Sequence, residues 1–377
     1  MYFYISFKKL LNIKMKSCFI CDVQEEKKNE IQLNKKVKEN FNYYCRNFEL
    51  EKIGFYNIGN SCYMNSFLQI LLHIPNFLEY LKKDYKNSNK ESILIQNIIN
   101  LANFPNNKNY LYLIQEYMSN ISSNYNRYKQ ADSQNFGIDL INEIITNIKG
   151  EEELYSEYNN NINEEMNNII NYKKIKYNEF IKKYQKENEL IFLEHMFLVN
   201  EINNYFYPNG TFKLKFDCYL NIELSFQKDK QNEYLDKYLL KDLLDFKYNK
   251  KLETNHKNKN CYLKLNYKSS ICKLPKILII TISRSEIGKE LKTKKLVIPN
   301  EIDFLQYTDD VLIKKKNCKY KLFCINEKLG KSKSFGHYYC FIKIEKKWYL
   351  FDDEKVIEKK PNLISRNVVG LFYEEYK

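Results

Sequence analysis

Gly54-Phe-Tyr-Asn57-Ile-Gly59-Asn-Ser-Cys62-Tyr-Met-Asn-Ser-Phe-Leu-Gln69, continued by Ile70-Leu-Leu-His-Ile-Pro75, is a loop that turns into a helix with a cysteine at the junction. Gly54 and Gly59 permit a tight loop, and the apolar residues from Tyr63 to Ile74 recur at helical spacing until Pro75 stops them. A thiol at a helix N-terminus meets unpaired N–H groups and the positive end of the dipole, and both favour thiolate over thiol. Asn57, five residues earlier, brings a side-chain amide that can donate to a developing oxyanion. Cys62 is therefore a candidate nucleophile that needs a base.

The chain has four histidines. His73 falls in the apolar helix, His195 in the apolar run Leu193-Glu-His-Met-Phe197, and His256 in a polar loop. His337 differs from these. It follows Gly336 at the start of a strand, GHYYCFIKI, and a second strand, KKWYLFDD, ends in Asp352-Asp353. Such a hairpin brings an acid at the end of one strand beside a histidine at the start of its neighbour, which is the base-and-orienter half of a nucleophilic triad.

The surrounding 377 residues fit a large globular enzyme. Hydrophobic residues are 44% and charged residues 29%, while Gly (9) and Pro (6) are scarce, so collagen-like, Pro-rich and wholly disordered classes are excluded. No run of about 18 apolar residues spans a membrane, and the start lacks the order of a secretory signal. The ten Cys are irregularly spaced and read as reduced thiols. Cys18-x-x-Cys21 could begin a zinc ribbon, but Cys45 is the only nearby third ligand, so residues 1–50 read as an N-terminal extension without an assigned fold. The net charge of +14 is concentrated at the C-terminal end, where residues 251–377 hold 28 basic and 15 acidic residues. No aromatic–basic motif or recognition helix accompanies these lysines, so they read as solvated loop charges and no nucleic-acid partner is expected.

Helical spacing predicts helices over residues 63–74, 92–102, 110–120 and 132–148. Residues 150–190, beginning Glu151-Glu152-Glu153, form a charged helical or partly disordered insertion. Strand-length pieces follow at 211–217, 219–226, 262–267, 276–283, 320–325, 337–344 and 347–351, with a short helix over 239–246. Helices first and strands later imply an α+β fold.

GFYNIGNSCYMNSFLQILLHIPNF resembles the Cys box of the ubiquitin-specific proteases, papain-like cysteine deubiquitinases, and FGHYYCFIKIEKKWYLFDDEKVIE resembles their His box. KQADSQNFGIDLINEII (129–145), LPKILIITISR (274–284, ending in Arg284) and VGLFY (369–373) resemble further family segments. The resemblance, covering about residues 52–375, implies a catalytic domain over 51–377 with thumb, palm and fingers. Its helical thumb would span about 51–150, and its fingers and palm about 191–377, beyond the insertion. It implies hydrolysis of the (iso)peptide bond after the C-terminal Gly-Gly of ubiquitin through a thioester at Cys62. His337 would be the base, Asp352 the orienting acid, Asp353 an assisting acid and Asn57 the oxyanion donor. Asp132 and Asn135 would meet the arginines of the ubiquitin tail, and Gly336 and Tyr338 would line the channel for its glycines. Ubiquitin and ubiquitinated proteins are the implied partners, and the cytoplasm or nucleus the implied location. A need for an activating subunit stays open, as do a non-catalytic ubiquitin-binding scaffold and a protease for another ubiquitin-like modifier.

Two departures from the family pattern carry expectations. The fingers usually hold zinc in two C-x-x-C pairs, but residues 195–275 hold only Cys218, Cys261 and Cys272, so no metal and no cofactor are expected. A tail-binding glutamate is Asn135 here, which removes one charge unless Asp139, a turn further on, supplies it.

Overall fold

The structure is a computed structural model. It describes residues 52–376 apart from 151–157, 161–168, 188–190, 208–211, 227–235, 249–251, 259–260, 287–288, 291–293, 314–317 and 331–335. The expectations for Cys18, Cys21 and Cys45 lie outside the described residues.

Five helices come first: α1 (Cys62–Leu72), α2 (Phe77–Ser88), α3 (Ile93–Asn103), α4 (Lys108–Ile121) and α5 (Ser133–Lys149). Every residue of α1 is buried, its polar Asn65, Ser66 and Gln69 being hydrogen-bonded to Asp353, Ser133 and the Ile53 carbonyl. Local chemistry sets the ends of the others. Ser92 caps α3 by accepting from the Ile95 amide, and Asp132 caps α5 by accepting from the Gln134 and Asn135 amides at 3.0 Å each. Helix α5 lies tight against α1 because residue 137 is glycine: a Cβ there would stand 2.0 Å from the Phe67 ring. Phe136 fills the same contact, with its ring 5.3 Å from those of both Tyr63 and Tyr125.

Helix α1 rests on an eight-stranded sheet ordered β16-β15-β14-β13-β18-β8-β4, with β12 pairing β13. These strands are β4 (Ile222–Ser225), β8 (Ile277–Ser283), β12 (Glu301–Asp303), β13 (Lys319–Leu329), β14 (His337–Ile344), β15 (Lys347–Asp352), β16 (Lys355–Glu358) and β18 (Val368–Glu375). All pairs are antiparallel except β4 with β8. Strand β8, ILIITIS, reads as one apolar run because both its faces are covered.

A second sheet runs β1-β3-β2-β7-β6, from β1 (Tyr158–Asn160), β2 (Val199–Phe206), β3 (Phe212–Tyr219), β6 (Leu252–Asn258) and β7 (Cys261–Lys273). Helix α6 (Ile169–Glu187) covers it, with Phe180 stacked on Phe216 and Tyr172 edge-on to Phe212. Helices α7 (Phe192–Phe197) and α8 (Leu240–Tyr248) join the sheets. Short strands complete the fold: β5 (Lys237–Leu239), β11 (Lys295–Val297) and β17 (Ile364–Ser365) form one small sheet, and β9 (Ser285–Glu286) pairs β10 (Lys289–Glu290).

The α+β order is as expected, and α1, α3, α4 and α5 lie within two or so residues of their sequence-predicted spans. Several elements differ, among them β6, where His256, read as part of a polar loop, is a strand residue paired with Leu263 of β7. Helix α2 is absent from the expected helices because charged residues break up the apolar spacing of FLEYLKKDYKNS, yet it buries Phe77, Leu78, Tyr80 and Leu81. Strand β2, VNEINNYF, shows no alternation because Asn200, Glu201 and Asn204 are buried, each with a partner from a distant segment or neighbouring strand. The charged insertion is not wholly an appendage: β1 pairs with β3, and α6 is a long helix held to Asp309 through Lys173.

Candidate active site

The loop before α1 is pinned to the end of β15. The Phe55 amide donates to the Asp353 carbonyl at 2.9 Å, and a Cβ on Gly54 would stand 2.3 Å from that oxygen, so only glycine lets the two backbones meet. Gly59 (φ 109°) and Asn60 (φ 47°) then turn through the left-handed region into the helix. Ser61 does not cap α1, because its hydroxyl accepts from the Ile58 amide instead. Cys62 is thus the first helical residue, 4% exposed, at an N-terminus that Ser61 leaves without a side-chain cap.

Strand register brings the other two groups to this point. Cys340 pairs with Phe351, which sets Asp352 opposite Tyr339 and diagonal to His337 on one face of the sheet. His337 Nε2 lies 2.5 Å from Asp352 Oδ1, which leaves Nδ1 for the sulfur. The imidazole is pushed up to about 9, chiefly by its hydrogen bond to Cys62, with Asp352 adding to the rise and partial burial opposing it. At neutral pH His337 is therefore the charged partner of the sulfur.

Asp353, also within 4.8 Å of the imidazole, takes its hydrogen bonds from the other side. Its backbone is left-handed (φ 49°), and its two carboxylate oxygens accept from Asn57 Nδ2 and Asn65 Nδ2, each at 2.8 Å. Burial raises its pKa, and these two amides oppose the rise. Beside the expected assisting role this placement gives Asp353 another: it ties the end of β15 to the cysteine loop and to α1. Asn57 Oδ1 accepts from the amides of Gly59 and Ser61, so its carboxamide is fixed from both ends. Asn65 was missed in the sequence. Its only signal was its position on α1, three residues after Cys62 and hence on the same face.

Asp132 and Asn135 sit exposed on the first turn of α5. Asp132 Oδ1 caps the helix and Oδ2 accepts from the Tyr338 hydroxyl at 3.1 Å. Tyr338 itself is fully buried, with its ionisation pushed up by burial and by Asp132. The expectation that the Tyr338 ring lines a channel is corrected by that burial; its hydroxyl orients Asp132. Gly336 is where the chain enters β14, and a Cβ there would stand 2.4 Å from the Leu329 carbonyl. Asp139 is not a free substitute for the missing charge, since its carboxylate accepts from the Tyr125 hydroxyl. Gln130, which the sequence reading passed over, donates from Nε2 to the Gly336 carbonyl and lies 3.6 Å from Cys62 Sγ.

Among the described residues, His337, Asp352 and Asp353 are the group whose ligand atoms, within 4.8 Å of one another, approach a metal-binding spacing. Their hydrogen bonds to Cys62, Asn57 and Asn65 account for them without an ion. Cys218 and Cys272 are both committed to Asn200, donating to its side-chain and backbone oxygens, and burial pushes Cys218 up to about 12. They behave as protonated core thiols. The Cys261 side chain lies outside the described residues. No helix among them is long and apolar enough to cross a membrane.

The family profile described as "Ubiquitin carboxyl-terminal hydrolase" matches residues 53–373. "Ubiquitin carboxyl-terminal hydrolase 4" of Arabidopsis thaliana is 24% identical over 340 residues, covering 85% of this chain and 87% of its own. "Ubiquitin carboxyl-terminal hydrolase 16" of the same plant is 29% identical over 116 residues, which is 30% of this chain and 11% of that protein. Among solved structures, "Structure of the SAGA Ubp8/Sgf11/Sus1/Sgf73 DUB module bound to ubiquitin aldehyde" superposes with a TM-score of 0.64 at 20% identity, covering 93% of this chain and 75% of that one.

Proposed function

The chain belongs to the ubiquitin carboxyl-terminal hydrolase family, and we propose that it is a thiol-dependent deubiquitinase in which Cys62, His337 and Asp352 perform the chemistry. The observation that carries this assignment is His337, held through Nε2 by Asp352 and raised to about 9 by Cys62.

The proposed sequence of steps follows from that geometry. The Cys62 sulfur, paired with the protonated imidazole, attacks the carbonyl carbon of the terminal glycine of ubiquitin. In this reading the developing oxyanion lies at the N-terminus of α1, with Asn57 as its side-chain donor. One N–H of the Asn57 amide is taken by Asp353, so the second N–H is the donor left for the oxyanion. His337 gives its proton to the leaving amine, the C–N bond breaks, and a thioester remains on Cys62. The neutral imidazole then takes a proton from water, whose oxygen adds to the thioester, and the sulfur leaves to restore the pair. Asp352 keeps the ring oriented with Nδ1 toward the sulfur and stabilises its positive charge.

In the same proposal residues 51–377 are the catalytic domain and residues 1–50 an extension. The five helices form the thumb, the eight-stranded sheet the palm and the second sheet the fingers. Asp132 and Asn135, exposed on α5, face the basic tail of ubiquitin. The solved neighbour is assembled with Sgf11, Sus1 and Sgf73, and an accessory subunit is a corresponding partner class here. Free thiols at Cys62, Cys218, Cys272, Cys318, Cys324 and Cys340 fit a reducing compartment, cytoplasm or nucleus.

Turnover of a fluorogenic ubiquitin C-terminal amide tests the assignment. Cys62→Ala is expected to abolish turnover and leave ubiquitin binding largely intact. Turnover unchanged in the variant would overturn it.

A further inference from the structure

We propose that Gln130 is an internal occupant of the acyl-binding cleft, which the terminal peptide group of the substrate must displace before Cys62 can attack. This rests on the reading of Cys62 as the nucleophile. Gln130 precedes α5 by three residues, and Gly336 precedes the strand that carries His337. The two segments therefore meet beside the sulfur. The Gln130 carboxamide joins them, with Nε2 donating to the Gly336 carbonyl and lying 3.6 Å from Cys62 Sγ.

Two features make this contact a competitor of the substrate. An attacked carbonyl carbon must come within about 3–3.5 Å of the sulfur, and the Gln130 nitrogen, at 3.6 Å, stands at the edge of that shell and in its way. A carboxamide also has the chemistry of a peptide group, so its N–H on the Gly336 oxygen takes an acceptor that an extended substrate backbone would use. That acceptor is fixed in place, because residue 336 is packed against the Leu329 carbonyl. Gln130, only half-buried and unbranched, is the member of the pair free to move.

An occupied cleft lowers apparent affinity by the fraction of chains in which it is open. Gln130→Ala removes the occupant, and two readouts follow. Alkylation of Cys62 by iodoacetamide, which needs no ubiquitin, is expected to accelerate by roughly threefold to tenfold. The kcat/KM for a fluorogenic ubiquitin amide is expected to rise by a similar factor, mainly through a lower KM. A tenfold or larger fall in kcat with KM unchanged would make Gln130 a transition-state donor and overturn the proposal. Rates within about twofold of the parent in both assays would show an idle contact and overturn it equally. If the parent fails to cleave the ubiquitin amide while alkylation still accelerates in the variant, the deubiquitinase reading falls and the occupied cleft stands.

Discussion

Asp353→Asn separates two roles that adjacent carboxylates can play beside one histidine. Asn tolerates the left-handed backbone at this position, so the substitution keeps the turn. It does not keep both hydrogen bonds. The Asp353 carboxylate accepts from the Asn57 and Asn65 amides at 2.8 Å each, but an amide offers only one oxygen. One bond is lost, its site now holding two opposed N–H groups, and the other becomes neutral. Charged hydrogen bonds contribute roughly 1.5–3 kcal/mol and neutral ones about 0.5–1.5. The gross loss is therefore about 2–4 kcal/mol, offset in part because a carboxylate no longer has to be buried. A net loss of about 1–2 kcal/mol lowers the thermal midpoint of a chain this long by roughly 1–3 °C.

The catalytic effect of Asp353→Asn follows from Asn57. An oxyanion donor is worth about 10²–10³-fold in kcat, so loosening rather than removing it should cost about tenfold to a hundredfold, with KM little changed. The alkaline limb of the pH–rate profile should move less than it does in Asp352→Asn, because the His337–Asp352 hydrogen bond is untouched and Asp353 acts on the imidazole through space alone. Asp352→Asn should move that limb to lower pH, since Asp352 helps to raise the imidazole. Stopped-assay kinetics over pH 6–10 with both variants, together with thermal unfolding, measure this. If Asp353→Asn shifts the alkaline limb as far as Asp352→Asn does, Asp353 acts on the imidazole as strongly as Asp352 and the loop-anchoring account is wrong.

Asn135→Glu should lower KM for ubiquitin substrates several-fold, because a charged contact exceeds a neutral one by about 1 kcal/mol. Salt should weaken the variant's binding more than the parent's. The same change places an acid in the first turn of α5 and should raise stability by about 0.3–1 kcal/mol; a KM change under about twofold would refute the tail-site argument. His73, partly buried and packed against Phe351 with its imidazole pushed down to about 4, should make the chain acid-sensitive. The unfolded chain binds a proton below about 6.5 that the folded one refuses, so this stability is complete above pH 6.5 and is lost as pH falls toward 4. His73→Gln should flatten the thermal midpoint between pH 6.5 and 4, and an equally steep curve would assign the acid sensitivity to other groups.

The parts of the fold legible in the sequence are those whose signals are local. Helix α1 could be read because an apolar run begins beside Cys62 and stops at Pro75. The β14–β15 hairpin could be read because two strand-length runs flank a short polar turn, Glu345-Lys346. The rest depends on partners far along the chain. Strand β2 hides its buried face behind Asn200, Glu201 and Asn204, whose partners include Cys218, Lys247 and the Lys268 carbonyl. Asp84 makes α2 look solvated, yet it is buried and accepts from the amides of Phe192 and Leu193, more than 100 residues away.

The candidate site divides in the same way. Residue types and order suggested Cys62, His337 and Asp352, because each stands at the end of a readable element. What surrounds them was not readable. The clamp that Asp353 makes on Asn57 and Asn65, the burial of Tyr338 and the reach of Gln130 to the sulfur all join segments that only the folded chain brings together.

The most direct test of the central claim is to incubate the full chain with ubiquitin carrying a C-terminal electrophile and to locate the adduct by peptide mass spectrometry. The account predicts one ubiquitin per chain, attached at Cys62 and absent from Cys62→Ala. An adduct on another thiol such as Cys340, or no adduct on a chain that still binds ubiquitin, would contradict it.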